Sequence, residues 1–322
     1  MSSRVSIVIS TRNRAASLRD TLASLENVAI PAETAVELII VDNGSSDQTR
    51  QVIGAFNPSR MSVRCIRENR PGLSRSRNAG LAASTGDIVL FTDDDVRAPR
   101  NWIDGMCRKI AVGEADAIAG GVRIAPDLLR PWMSLYVRAV LAETQSLDPN
   151  RPSRLVGANM AISRKVLSRV PGFDLELGAG AMGYGEETLF ASQLVAAGFR
   201  IGGALDIAVE HHFDPSRLER RALLDAAEKA GCSEAYIAWH WAHEFPEPCD
   251  RSIRSYKRDL KLWAKLLWRR LQQPPHDGAP TTDWEIQQIK AIAFRRQLRL
   301  EMLRPRNYHR QGLVKITSSL AA

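Results

Sequence analysis

Residues 86–96 read GDIVLFTDDDV, a stretch that few folds can use. Ile88, Val89, Leu90 and Phe91 make a short continuous apolar run, the pattern of a strand buried on both faces. Asp93, Asp94 and Asp95 follow directly. Carboxylates crowded at one strand end repel each other and lose hydration unless a cation sits among them. Side chains alternate along an extended backbone, so Asp93 and Asp95 are expected to share a side. They would form a D-x-D clamp for Mn2+ or Mg2+, hard cations that prefer oxygen ligands. A solvated acidic turn could carry the same letters, and the flanking segments decide between the two.

Those segments alternate. Apolar strands are expected over residues 4–10, 37–41, 61–66 and 88–92, with helices over 16–25, in the fifties and over 73–83 between them. Strands read as near-continuous apolar runs and alternating with helices indicate a largely parallel sheet covered on both faces. Ligands bind at the carboxyl ends of such strands. Thr11, Asp42, Glu68 and the three aspartates all fall there. Further on, helices are expected from Pro99 to about residue 112, over 128–143 and over 186–197. Strands are expected over 117–124 and 201–209, the latter running into Glu210-His211-His212. The stretch 272–282, rich in Pro and Gly, reads as a linker, and most of the chain beyond residue 217 reads as helix.

Charge is unevenly placed. Residues 251–322 hold 16 Lys and Arg against 5 Asp and Glu, whereas the remainder of the chain is slightly acidic. The four cysteines show neither a C-x-x-C pair nor zinc spacing and read as reduced thiols. The amino-terminal apolar run is too short for a signal peptide, and no run approaches the roughly eighteen residues of a membrane-spanning helix. The expected compartment is the cytoplasm.

Six segments carry a resemblance. VSIVISTRNR, ELIIVDNGSSD, ENRPGLSRSRNAGLAASTGDIVLFTDDDV, GANMAISRKVL, GFDLELGAGAMGYGEETLF and VEHHF occur in this order over about the first two thirds of the chain. As a set they resemble the family 2 glycosyltransferases, the inverting, bacterial polysaccharide type with the GT-A fold. The resemblance implies an α/β fold with a mostly parallel central sheet and a C-terminal helical extension. It implies a catalytic domain over 1–215, with a nucleotide-sugar half to about residue 97 and an acceptor half beyond, then a basic helical extension over 216–322. The implied donor is a nucleotide-diphosphate sugar, of the UDP type. The implied acceptor is a saccharide or lipid-linked saccharide of cell-envelope or exopolysaccharide synthesis.

Residue by residue, the resemblance places Thr11 and Asp42 at the nucleobase and ribose, with Arg14, Arg77 and Asp94 also on the nucleotide-sugar. Asp93 matches the ribose-side member of the D-x-D pair and Asp95 the metal-binding member. His211 matches a further metal ligand in preference to His212, since neighbours on a strand point opposite ways. Glu187 matches the catalytic base that takes the acceptor hydroxyl's proton. The family's Glu-Asp pair is Glu186-Glu187 here, so either the pocket accommodates the longer side chain or Glu186 shares the role. Asp42 has a simpler reading too, because Asp-Asn-Gly-Ser is good turn chemistry by itself.

Rival readings are a nucleotidyltransferase and a catalytically inactive nucleotide-sugar-binding module. The first would carry a Gly-rich loop after the first strand, and TRNRAAS lacks the glycines. A G-x-G-x-x-G match at Gly178, Gly180 and Gly183 does not follow the first strand of a βαβ unit, so it reads as a glycine loop on the acceptor side rather than a dinucleotide site. His240 and His243, among Trp239, Trp241 and Glu244, read as packing residues.

Residues 255–271 (SYKRDLKLWAKLLWRRL) put Tyr256, Leu260, Trp263, Leu267 and Leu271 at helical spacing, with Lys257, Arg258, Lys261, Lys265, Arg269 and Arg270 on the rest. Two readings stand. One is peripheral contact with an anionic membrane at its cytoplasmic face. The other is a brace docked on the catalytic domain, with its charges in solvent. No recognition motif accompanies the charge, so nucleic acid is not an expected partner.

Overall fold

The computed structural model describes residues 3–148, 154–244, 253–275 and 278–316. Strand β1 (Ser3–Thr11), helix α1 (Ala15–Glu26), strand β2 (Thr34–Asp42), helix α2 (Thr49–Ala55), strand β3 (Ser62–Arg67), helix α3 (Leu73–Ala83) and strand β4 (Ile88–Asp93) realise the expected alternation. These four strands are mutually parallel, in spatial order β3-β2-β1-β4. The apolar spacing explains the packing. Leu18, Leu22 and Leu25 lie on one face of α1 and share a core with Ile7, Ile9, Leu38 and Leu90 of the sheet. Strand β3 departs from the expectation of strands covered on both faces. It is the sheet edge, and Arg64, Cys65 and Arg67 are exposed on it. Charge on an edge strand discourages pairing with another chain.

Strand β5 (Val96–Arg97), helix α4 (Trp102–Ala111), strand β6 (Ala117–Ile124), helix α5 (Leu135–Val140), strand β7 (Asn159–Ser163), helix α6 (Glu186–Ala196) and strand β8 (Ile201–His211) complete the sheet. The full order is β3-β2-β1-β4-β7-β6-β8-β5. This second half is mixed: β7 is antiparallel to β4 and β6, β8 is parallel to β6, and β5 is antiparallel to β8. Asn159 pins it. Fully buried, its amide donates to the carbonyls of Gly121 (2.7 Å) and Ile207 (2.8 Å) and accepts from Trp102 Nε1 (2.8 Å). The helix expected over 128–143 forms only at α5, after a 3-10 turn at Pro126–Leu128. Pro131 lacks an N–H and pushes Arg130 out of helical geometry, and Ala142 turns left-handed at φ 75°.

The chain divides into two compact units. One comprises Met1–Leu129, Leu141–Ala181 and Glu186–Phe213 and contains the whole sheet. The other comprises Arg130–Val140, Met182–Gly185 and Asp214–Ala322, with helices α7 (Arg220–Ile237), α8 (Ile253–Gln272) and α9 (Asp283–Glu301). Helix α7 continues into a π-helical turn at Ala238–Ala242, where the aromatic and histidine residues serve packing. His240 is fully buried, with Nε2 3.0 Å from Glu301 Oε2 and Nδ1 accepting from the Asn307 N–H. Trp241 donates to the Gly312 carbonyl, and His243 meets that of Tyr308. Cys65, Cys107 and Cys232 are free thiols, while Cys249 and residues 276–277 of the linker lie outside the described residues. Among the described residues no helix is long and apolar enough to cross a membrane.

Candidate active site

Register brings the site together. In the parallel half Thr11 pairs with Asp42, and Ser10 pairs with Asp93, so the carboxyl ends of β1, β2 and β4 form one rim. From the mixed half, β8 comes back to the same rim. Val96 of β5 pairs with His211, and the His212 N–H donates to the Asp95 carbonyl at 2.7 Å. A two-residue strand thereby sets a histidine beside the aspartates.

The three aspartates take different partners. Alternation along a strand was expected to align Asp93 with Asp95, but β4 ends at Asp93, and Asp94 and Asp95 sit in a turn. Asp93 reaches Arg77 Nη2 at 3.4 Å. Asp94 accepts from the Thr11 hydroxyl at 2.6 Å. Asp95 pairs with Arg14 Nη1 through Oδ2 (3.1 Å), and its Oδ1 lies 3.4 Å from His211 Nε2. Burial pushes the Asp94 carboxyl up to about 7, with Asp95 adding to the effect and the Thr11 hydroxyl and Arg14 opposing it. Asp93 is also raised, by burial and by Asp95 against the pull of Arg77. Asp42 goes the other way. Burial would raise it, but hydrogen bonds from Ser45 and the Arg50 guanidinium (2.9 Å) hold it below the usual range. Its turn and its strand-end position are both real.

Helix α6 opens on the two glutamates, and the structure separates them. Glu186 is buried, its Oε1 2.6 Å from Arg77 Nη1. Arg77 therefore bridges β4 and α6, with its guanidinium 5.7 Å from the centre of the Phe173 ring. Two glycines make room for this. A Cβ on Gly157 would lie 1.9 Å from Arg77 Nη2, and one on Gly178, which has φ 89°, would lie 3.1 Å from the Glu186 carboxyl carbon. Glu187 is half-buried, and its enclosed Oε2 has no hydrogen-bond partner among the described residues. Burial first, and the adjacent Glu186 second, raise its carboxyl well above the usual range despite Arg77. Arg154, which the sequence reading did not single out, adds a half-enclosed charge acting on Glu187. Nothing in SRLVGANM marks that arginine off from a surface one.

Asp95 and His211 are the residues that could hold a divalent cation here. His211 is buried, and its Nδ1 lies 3.2 Å from the Leu141 carbonyl, which can only accept. The proton of the neutral ring then belongs on Nδ1, leaving the Nε2 lone pair turned toward Asp95. A carbonyl orienting an imidazole in this way is the usual support of a metal-binding histidine. His212 instead meets Glu210 at 2.6 Å. Among the described residues no three His, Cys, Asp or Glu side chains converge as a cage, so remaining ligands would come from substrate and water, as is common for Mg2+ at phosphate sites.

Comparison with known proteins identifies the fold and the family. Residues 6–170 match the family model described as "Glycosyl transferase family 2". Polypeptide N-acetylgalactosaminyltransferase 10 of Mus musculus is 29% identical over 198 residues, 54% of this chain and 33% of the relative. A glucosyl-dolichyl phosphate glucuronosyltransferase of Haloferax volcanii is 27% identical over 184 residues, 54% of this chain and 57% of the relative. The chain spans a third to somewhat over half the length of these curated relatives. Among solved structures, a mannosyltransferase from Pyrobaculum calidifontis in complex with GDP-Man and Mn2+ superposes with a TM-score of 0.63 at 18% identity, over 92% of this chain and 87% of that one. The chain has the GT-A fold and belongs to glycosyl transferase family 2.

Proposed function

We propose that this chain is an inverting, metal-dependent glycosyltransferase. It would move a sugar from a nucleoside-diphosphate sugar, of the UDP type, to a saccharide or lipid-linked saccharide in cell-envelope or exopolysaccharide synthesis. The carrying observation is the convergence of His211, from the last long strand, on Asp95 at the rim that also holds Thr11, Asp42 and Asp93. Asp95 and His211 would hold Mn2+ or Mg2+. The ion, once bound, neutralises charge on the donor's diphosphate and on the departing nucleotide. Thr11, Arg14, Asp42, Arg77, Asp93 and Asp94 are the donor-side set, and their geometry divides the work. Asp42 and Asp93, at the ends of β2 and β4 on either side of β1, suit hydroxyls of a ribose. Arg14 and Thr11 hold the Asp94–Asp95 turn in place. Arg77, enclosed between Glu186 and Asp93, acts on the site by fixing the two acids rather than by open contact.

Glu187 is the base in this reading. The acceptor oxygen forms a bond to the anomeric carbon as the bond from that carbon to the phosphate oxygen breaks, and the acceptor proton passes to Glu187. A raised carboxyl pKa strengthens it as a proton acceptor. Glu186, already paired with Arg77, has no lone role in that transfer. The name of the Haloferax volcanii relative, which includes a dolichyl phosphate sugar, supports a lipid-linked acceptor. The catalytic domain we assign to residues 1–215, with 216–322 as its helical extension.

The test is release of free nucleoside diphosphate from a panel of UDP- and GDP-sugars with and without Mn2+. Asp95→Asn is expected to remove metal-dependent donor binding, measured by calorimetry, while the melting curve stays in place. Unchanged Mn2+ dependence in that variant would sink the assignment.

A further inference from the structure

Among the described residues, helix α8 packs with one side. Asp259 holds Arg295 and Arg299 of α9 at 2.6 and 2.5 Å, Arg295 also reaches the Ser255 hydroxyl, and Leu266 is fully buried. The stripe expected to be its apolar contact face is elsewhere. Leu260, Trp263, Leu267 and Leu271 are 46–83% exposed, and Trp268 beside them is 61% exposed. Tyr256 ends the stripe, its ring under the Arg299 guanidinium at 5.3 Å. The face that packs meets α9 of the same unit, and the stripe lies on a different face.

A contiguous stripe of large exposed apolar side chains marks an interaction surface. Its surroundings indicate what it meets. Helix α8 carries seven Lys and Arg and one acid, Asp259, which α9 already occupies. Lys257, Lys261 and Lys265 lie on the flank away from the buried face and have no ion-pair partner among the described residues. Two copies of this face would bring like charges together, which disfavours self-association. Nucleic acid would use the cations and leave the leucines in water. Hydrocarbon beneath an anionic layer satisfies both, and Trp rings settle at that boundary.

We propose that this face of α8 is a docking surface for an anionic lipid bilayer, with Leu260, Trp263, Leu267 and Leu271 inserted and Lys257, Lys261 and Lys265 against headgroup phosphates. The inference rests on α8 alone and is independent of the catalytic assignments. Sedimentation of the full chain with vesicles tests it, using phosphatidylcholine alone and phosphatidylcholine mixed with phosphatidylglycerol, each at low and high salt. Binding is expected only with the anionic vesicles, weakened by salt as charge is screened. Replacing the three lysines with Gln should reduce affinity by about fivefold per charge. Leu267→Glu should abolish insertion, read as loss of a blue shift in Trp emission, at an unchanged melting temperature. Leu260→Ser is the second variant should Leu267→Glu fold poorly. Nucleotide release in both is expected to match the parent. No sedimentation with anionic vesicles at low salt overturns the proposal. So does binding that Leu267→Glu and Leu260→Ser leave intact, which would be adsorption by charge alone. A dimer seen by ultracentrifugation and lost in those variants would assign the face to a second copy instead.

Discussion

The turn after β4 and the first turn of α6 both hold adjacent acids whose pKa burial raises, and they differ in the donors those acids meet. In the β4 turn each carboxylate meets a donor: Arg77 for Asp93, Thr11 for Asp94 and Arg14 for Asp95. At the start of α6 only Glu186 is matched, by the same Arg77, and Glu187 keeps an enclosed oxygen without a donor among the described residues. Side chains that differ little in chemistry thus acquire different capacities from their surroundings. A balanced carboxylate can hold a cation or a hydroxyl in place. An unbalanced one is ready to accept a proton.

The largest effect should come from removing that proton acceptor. Glu187→Gln keeps shape and is expected to lower turnover by about two to four orders of magnitude while donor affinity by calorimetry holds. If Glu186→Gln lost the turnover instead and stayed folded, the contrast between the two acids would be reversed. Next in size is the shared cation. Arg77 and Glu186 are each about one-twentieth exposed, and breaking a buried pair from one side costs about 3–5 kcal/mol. Arg77→Met and Glu186→Gln should therefore both show early urea midpoints, with Arg77→Met the more damaging because it also strips Asp93.

The smallest effect is a pH dependence. The folded-state pKa of Glu187 is raised, so the folded protein binds this proton more tightly than the unfolded chain. The stability this contributes is complete below the unfolded value, about 4.3, and is lost as pH rises through the folded value. Thermal melts should show Glu187→Gln equal to the parent at about pH 4 and more stable at about pH 8. A parent that gains stability over the variant with rising pH would show that the fold lowers the Glu187 pKa instead of raising it, and the contrast between the two turns would fail.

The parallel half was legible because each strand is a local apolar run: Val5 to Ile9, Leu38 to Val41 and Ile88 to Phe91 announce themselves. Strand-end chemistry followed from position alone, which is why Thr11, Asp42 and the aspartates could be named together. The mixed half could not be read so, since β5 is two residues long and its pairing with β8 is a contact between positions more than a hundred apart. The partners within the aspartate triplet were hidden for a similar reason. Alternation holds in a strand and lapses in the turn where Asp94 and Asp95 sit. Periodicity located the stripe on α8 correctly but carried no sign of which way it faced, because Asp259 and its two arginines outweighed four exposed apolar residues in choosing the docked side.

Gly157 has a consequence for how such a chain can evolve. Its bare Cα is the floor under the Arg77 guanidinium, and that guanidinium is tied to Glu186 and Asp93. A mutation to alanine there would force the Arg77 guanidinium to shift, straining its ties to Glu186 and Asp93. Positions 77, 157 and 186, far apart along the gene product, can therefore drift only as a set. A lineage that trades away the arginine is released to fill position 157, and one that fills position 157 first passes through an intermediate in which the arginine's hold on the two acids is weakened.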